Sequence, residues 1–325
     1  MPSSLPDDLQ AALGDTYAIE RELPRGGMSR VFAARELALG RTVVIKVLSP
    51  ELVAGFSAER FKREIALAAR LQHPNIVPLL TSGLAANSVY YTMPLVDGDS
   101  LRERMSRERP MSIENVTRIL EEVASALDYA HELGIVHRDI KPENVMFFHD
   151  KAVVLDFGIG KAISAASVGA DDPAAARITR SGTTLGTPTY IPPEQAAGDP
   201  DLDHRADLYS LGVVAYEMLT GHPPFAGRNA AVVMAAHAHQ APDPIALRRP
   251  DVPAALAAVV MQCLEKSPAR RPQRAAEIVR ALRGSPAAGS AGRRGAGRPA
   301  AIPAWVPWVV AGVATAVAIF LAVRR

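Results

Sequence analysis

Three short strings concentrate the reactive residue types of this chain: His137-Arg138-Asp139-Ile140-Lys141-Pro142-Glu143-Asn144, Asp156-Phe157-Gly158, and Gly186-Thr187-Pro188-Thr189-Tyr190-Ile191-Pro192-Pro193-Glu194. Upstream stand Val43-Val44-Ile45-Lys46 and, in a stretch of helical spacing, Glu64. Carboxylates and carboxamides are hard oxygen ligands of the kind Mg²⁺ takes beside phosphate oxygens and water. A lysine ammonium is a compact point charge. Taken singly, Asp156 reads as a turn residue before glycine and Asn144 as a cap. Together, in this order and at this spacing, they read as one functional constellation.

The order and spacing resemble the catalytic loop, metal loop and activation-segment end of protein kinases. With Lys46 and Glu64 included, the chain resembles the bacterial eukaryotic-like Ser/Thr protein kinases over about residues 16–283. The resemblance implies transfer of the ATP γ-phosphate to Ser/Thr hydroxyls of proteins, work that rests on positioning and charge neutralisation. It implies Asp139 as the group that accepts or orients the hydroxyl proton, and Asn144 and Asp156 as ligands of Mg²⁺, with Mn²⁺ as an alternative cation. Lys46 would meet the α- and β-phosphates, held by an ion pair with Glu64; Glu59, earlier on that helix, reads as a solvated residue. Lys141, two residues after Asp139, is the Ser/Thr-type signature, and Thr187 would bond both of them beneath the acceptor. On the nucleotide side the resemblance implies Leu23, Gly26, Gly27, Val31, Val44, Lys46, Met93, Val96 and Met146. Within the hinge-like Tyr90–Gly98 string, Met93 would gate a back pocket and the Val96 backbone would meet the adenine edge.

The pattern departs from the family in places. The glycine-rich loop reads Pro24-Arg25-Gly26-Gly27-Met28-Ser29-Arg30-Val31, so Pro24 and Ser29 replace two of its glycines. Gly26 and Gly27 still allow close approach of backbone to phosphate, while Pro24 fixes its own φ and removes a donor. Arg138 is of the kind that binds an activation-loop phosphate. Thr179 and Ser181 match the usual autophosphorylation pair, with Thr183 and Thr184 nearby. Glu194 is expected to pair with Arg271 as a buried bridge, and Asp207 to hold the catalytic-loop backbone. His73 reads as structural, His237 and His239 are assigned no metal, and Cys263 reads as core.

Around these residues the chain is ordinary globular material: 325 residues, 48% apolar, 22% charged and a net charge of +2. A disordered, collagenous or disulfide-stapled chain is excluded, since one cysteine forms no intrachain disulfide. From Ser285 onward there are five arginines and no acid, and removing them from the net charge leaves residues 1–284 at −3. No basic stripe with interleaved aromatics marks a nucleic-acid track. Residues 1–15 read as an N-terminal extension. Short β-type runs at Tyr17–Leu23, Arg30–Arg35, Thr42–Leu48 and Ser88–Met93 surround a helical Phe56–Leu71. Helical spacing follows at Ile113–Leu133, Asp207–Thr220, Ala254–Leu264 and Gln273–Leu282. The fold class is therefore α+β in two lobes, a small antiparallel sheet (about 16–93) and a larger, mostly helical lobe (about 97–283).

Residues 284–301, built largely of Gly, Ala, Ser, Pro and Arg, predict a flexible linker. Residues 299–323 are 25 consecutive uncharged positions, and 302–323 would span about 33 Å as a helix. That run, with Trp305 and Trp308 near its start, predicts a single transmembrane anchor in the cell membrane with the kinase domain in the cytoplasm. Expected partners are thus ATP, protein substrates, the membrane and a second copy for autophosphorylation. Two other functions compete. A catalytically weak pseudokinase scaffold would not need Lys46, Glu64, Asp139, Asn144 and Asp156 intact. A small-molecule phosphotransferase would not need the Gly186–Glu194 string.

Overall fold

A computed structural model of the chain describes residues 5–23, 29–48, 58–85, 88–157, 188–199, 201–227 and 229–284, all within one unit, Met1–Ser285. Five strands, β1 (Tyr17–Leu23), β2 (Ser29–Glu36), β3 (Arg41–Leu48), β4 (Thr81–Ala85) and β5 (Ser88–Pro94), make one antiparallel sheet in the order β1-β2-β3-β5-β4. Successive side chains on a strand face opposite ways, and β3 turns this into two cores. Val43, Ile45 and Val47 join an apolar cluster on one face; Val44 and Leu48 join another on the opposite face. Lys46 shares the second face by alternation, which is the face that turns toward the helical lobe.

The first face is closed by α1 (Leu5–Leu13), a helix inside the segment that the sequence presents as a plain extension. Leu9 and Leu13 pack there with Tyr17, Phe32 and Ile45. Gln10 ties the helix to β1: its Nε2 donates to the Tyr17 carbonyl at 3.2 Å and its Oε1 accepts the Ile19 N–H at 2.8 Å. The carboxamide thereby satisfies backbone groups just before the register shift between Ile19 and Arg21. On the other face α2 (Ala58–Ala68) contributes Ile65.

The second lobe is mainly helical: α3 (Leu101–Arg107), α4 (Ile113–Glu132), α5 (Pro193–Ala196), α6 (Arg205–Thr220), α7 (Ala230–His239), α8 (Ile245–Arg248), α9 (Ala254–Cys263) and α10 (Ala275–Arg283), with a short ladder of β6 (Val145–Phe148) and β7 (Lys151–Val154). Helix α6 is buried without interruption from Ala206 to Leu219 and forms the axis of this lobe. It stops at Gly221, whose φ of +81° suits a residue without Cβ and whose N–H returns to the Glu217 carbonyl. Cys263 is buried among these helices, and burial pushes its thiol up to about 12, so it behaves as an apolar core group. The lobes are joined past Gly98, where a Cβ would come within 2.0 Å of the Phe147 carbonyl oxygen. Only glycine lets the connection run this close to β6.

The expected membrane anchor is overturned. Among the described residues no helix is long and apolar enough to cross a membrane. The longest, α4, has 20 residues but carries Glu114, Arg118, Glu121, Glu122, Asp128 and Glu132, and its apolar stripe is spent on the lobe core. The run 302–323 lies outside the described residues, and an uncharged apolar stretch is a condition for an anchor rather than a demonstration of one. The transmembrane helix, the membrane as partner and the single-pass location are withdrawn with it. The linker at 284–301 lies almost wholly outside the described residues.

Two stability measurements follow from this packing. Leu9→Ala removes a fully buried side chain between α1 and the sheet and should cost about 2–5 kcal/mol in urea unfolding. His237 is wholly buried, with Tyr209 Oη 2.9 Å from its Nδ1 and the Phe225 ring edge-on at 5.0 Å. Burial first, then the charge of Lys266, pushes its imidazole down to about 4. The unfolded imidazole titrates near about 6.5, so between these values the unfolded chain binds a proton that the folded one refuses. This contribution to stability is complete above the unfolded value and declines as pH falls toward the folded one. On lowering the pH from about 7 to 5, the parent should lose on the order of 2 kcal/mol more than His237→Gln, read from denaturant midpoints.

Candidate active site

One carboxylate organises the loop that carries Asp139. Asp207, in the first turn of α6 and 1% exposed, accepts the His137 N–H on Oδ2 and the Arg138 N–H on Oδ1, both at 2.8 Å. His131 Nε2 lies 2.8 Å from the same Oδ2. Burial alone would raise this carboxyl, but the hydrogen bond and charge of His131, with the His137 amide, hold it below the ordinary range. His137, also fully buried, accepts the Asp139 N–H on Nδ1 at 3.2 Å, which leaves Nε2 to donate to the Leu155 carbonyl at 2.7 Å. Its ring meets Phe157 edge-on at 4.8 Å, joining this loop to the Asp156 loop. Arg138 and Asp156 both adopt left-handed backbone, with φ of 67° and 63°. Such conformations are costly for non-glycine residues and persist where the surroundings over-determine them.

Asp139 emerges from this frame with its side chain 54% exposed. Lys141 Nζ donates to its Oδ2 at 2.6 Å, and Asn144 Nδ2 donates to the same oxygen at 2.9 Å and to the Asp139 carbonyl at 2.8 Å. Because Asn144 spends its amide nitrogen on Asp139, its carbonyl oxygen is the end suited to a cation. Lys46 Nζ donates to Asp156 Oδ2 at 2.6 Å, and the Tyr91 hydroxyl donates to Oδ1 at 2.9 Å. Burial pulls the Arg138 guanidinium below its ordinary value, against the charges of Asp207 and Glu64. Glu64 is partly buried on α2. Leu23, Val31, Val44, Met93, Val96 and Met146 all belong to one apolar cluster, which Leu155 joins from the residue before Asp156. The sheet register produces this gathering: Val31 lies opposite Lys46, and Val44 opposite Met93. Gly26, Gly27 and Thr187, together with Thr179 and Ser181, lie outside the described residues.

The segment after the activation loop is fastened from below. Arg271, with a fully buried side chain, donates to Glu194 through both terminal nitrogens, at 2.6 and 2.8 Å. Its remaining hydrogen bonds go to the carbonyls of Arg205, Glu265 and Lys266. Tyr190 donates to buried Glu217, and Arg102 bridges Glu217 at 2.9 Å to Glu143 at 2.8 Å. Tyr190 lies in the Gly186–Glu194 string, but no motif marks Glu217 as its partner, since that partner comes from α6 and is joined by the distant Arg102. Tyr91 had a signal: strand alternation places it on the face of Lys46 and Met93.

Among the described residues no group of three or more His, Cys, Asp or Glu is arranged to hold a metal ion. The donor set here is of another kind, a carboxylate and a carboxamide whose hard oxygens suit Mg²⁺ shared with phosphate. A family model described as the protein kinase domain matches residues 17–281. The chain belongs to the protein kinase family. The kinase domain is 41% identical over 265 residues to the Serine/threonine-protein kinase pkn3 of Myxococcus xanthus, covering 79% of this chain and 47% of that protein. It is 40% identical over 284 residues to the Serine/threonine-protein kinase PknB of Mycobacterium tuberculosis, covering 84% of this chain and 44% of the relative. The chain thus spans under half the length of these curated relatives. Membership implies the use of ATP and Mg²⁺, and a Ser/Thr-type kinase domain is what the chain carries.

The Glu194–Arg271 pair provides a test of the scaffold. Glu194→Ala leaves a fully buried guanidinium without its counter-charge and should cost about 3 kcal/mol or more in denaturant unfolding. Glu22→Ala, which breaks the exposed pair with Arg30, should leave the midpoint unmoved.

Proposed function

We propose that this chain is an ATP- and Mg²⁺-dependent Ser/Thr protein kinase whose catalytic domain is residues 16–283, activated by autophosphorylation. The observation that carries the reading is Asp139, half exposed, with Lys141 and Asn144 both donating to one of its carboxylate oxygens. That arrangement leaves the other oxygen for an acceptor hydroxyl. Asp139 takes the hydroxyl proton as the oxygen forms its bond to the γ-phosphorus and the bond to ADP breaks. Lys141 supplies positive charge beside the transferring group. Leu23, Val31, Val44, Met93, Val96 and Met146 enclose the adenine, and Gly26 and Gly27 let backbone approach the phosphates. Lys46 leaves Asp156 for the α- and β-phosphates and pairs with Glu64. Asn144 and Asp156 would hold Mg²⁺, which when bound would neutralise phosphate charge; Mn²⁺ suits the same oxygens.

The substrates are proteins with Ser or Thr acceptors, and a second copy of the chain is the first of them. Thr187 shapes the floor under the acceptor. Phosphate on Thr179 or Ser181 would meet Arg138, adding about −1.5 to −2 charges beside a guanidinium and ordering the segment. A pseudokinase scaffold is disfavoured by the intact set of Lys46, Glu64, Asp139, Asn144 and Asp156, and by relatives that are named kinases.

The test is peptide mass spectrometry of the full chain after incubation with Mg·ATP, beside Asp139→Asn and Asp156→Asn. Phosphate should accumulate on Thr179 or Ser181 in the parent and in neither variant. A parent that binds ATP yet phosphorylates neither itself nor a general protein acceptor would sink the proposal.

A further inference from the structure

Tyr91 is the residue in the cleft for which the kinase reading has no use. It stands opposite Lys46 in the β3–β5 register, and its ring lies beneath the ammonium, 5.7 Å from Nζ to centroid. It is 1% exposed and packed in the cluster that holds Val44, Ile65 and Met93. A phenylalanine would fill that volume equally well, whereas a buried phenol carries a polar group that needs a partner. The partner here is Asp156, through a 2.9 Å hydrogen bond to Oδ1, while Lys46 takes Oδ2 at 2.6 Å. The carboxylate is therefore shared between two donors of different character. Lys46 is a flexible chain whose charge the phosphates require. Tyr91 has two side-chain torsions, both confined by packing.

We propose that Tyr91 is a positioning residue for the cation ligand Asp156. Its hydroxyl would keep the carboxylate in place through Oδ1 when Lys46 turns to the phosphates and Asp156 becomes available to a divalent cation. A carboxylate has about four lone-pair sites, so one hydrogen bond on Oδ1 leaves ample capacity for a metal. What the phenol provides is a fixed carboxylate orientation at the moment Lys46 departs. Without it, Asp156 would lose the Oδ1 restraint at the same time as the one on Oδ2. The inference rests on the phosphotransfer reading above, because that reading makes Asp156 a metal ligand.

The test compares the full chain with Tyr91→Phe, which keeps the ring and deletes one hydroxyl. ADP binding is measured by calorimetry in EDTA and across a Mg²⁺ titration, and phosphate transfer is followed over the same Mg²⁺ range. The variant should need about tenfold more Mg²⁺ for half-maximal coupling to ADP, the expected effect of losing one hydrogen bond to a charged group. Its ADP affinity in EDTA should match the parent, and excess Mg²⁺ should restore transfer. Equal Mg²⁺ requirements in the two proteins overturn the inference. So does a loss of ADP affinity in EDTA of the same size, which marks a repacked pocket. A parent whose ADP binding ignores Mg²⁺ altogether overturns the phosphotransfer reading, and this inference with it, before the variant is made.

Discussion

The buried carboxylate of Asp207 accepts two backbone N–H groups of the loop that carries Asp139, and the position of everything in the cleft follows from that anchorage. A loop of this kind has no ladder of its own, and buried amides without partners would be costly. Asp207 supplies those partners from α6, a helix buried from Ala206 to Leu219 and thus as immobile as the lobe contains. With His137 and Arg138 pinned, His137 reaches Leu155 and Phe157, so the two loops bearing Asp139 and Asp156 share one frame. Full burial would make this carboxyl expensive to ionise. His131 and the two amides are what keep it charged.

The sheet contributes through alternation. β3 sends Val43, Ile45 and Val47 to one side and Val44, Lys46 and Leu48 to the other, so a single strand both secures the small lobe and lines the cleft. Helix α1 matters for the same reason: it covers the rear cluster, which lets every second residue of β2 and β3 be committed to the front. Gly98 then sets how near the lobes approach, because any side chain there would collide with the Phe147 carbonyl. Polar residues complete the arrangement. Lys46, Tyr91 and Asp156 interlock on the front face, and Arg102 links Glu143 of the catalytic string to Glu217 of α6.

Local patterning is informative where an apolar stripe or run is long and poor where it is short. Strand β1 is legible to the residue, α4 nearly so because its apolar stripe recurs along twenty residues, and α6 because its apolar run is long although the helix is buried on all sides. Helix α1 was missed: nine residues are few for a period, and what stabilises it is the sheet it covers and the bonds of Gln10 to β1. Helix α7, apolar nearly all round, gives no periodic signal. The run 302–323 taught the opposite lesson. Its uncharged composition suggests a membrane anchor, yet composition alone specifies no partner for an apolar surface, and among the described residues no helix is long and apolar enough to cross a membrane.

The sequence by itself determined the family and the close spacing of Asp139, Lys141 and Asn144. Asp139, Lys141 and Asn144 lie within six residues, so local backbone brings them onto one carboxylate, and their types state the chemistry. Glu194 and Arg271 were also legible as a pair, because both sit in recognisable strings. Tertiary structure decided which partner each charge takes. Lys46 and Asp156 are 110 residues apart, and nothing in either string says that the ammonium rests on that carboxylate. Nor does any motif place the Tyr91 hydroxyl on its other oxygen or Glu217 beneath Tyr190. Such contacts depend on the packing of elements distant in the chain, where a shift of one residue in strand register would turn each side chain to the opposite face.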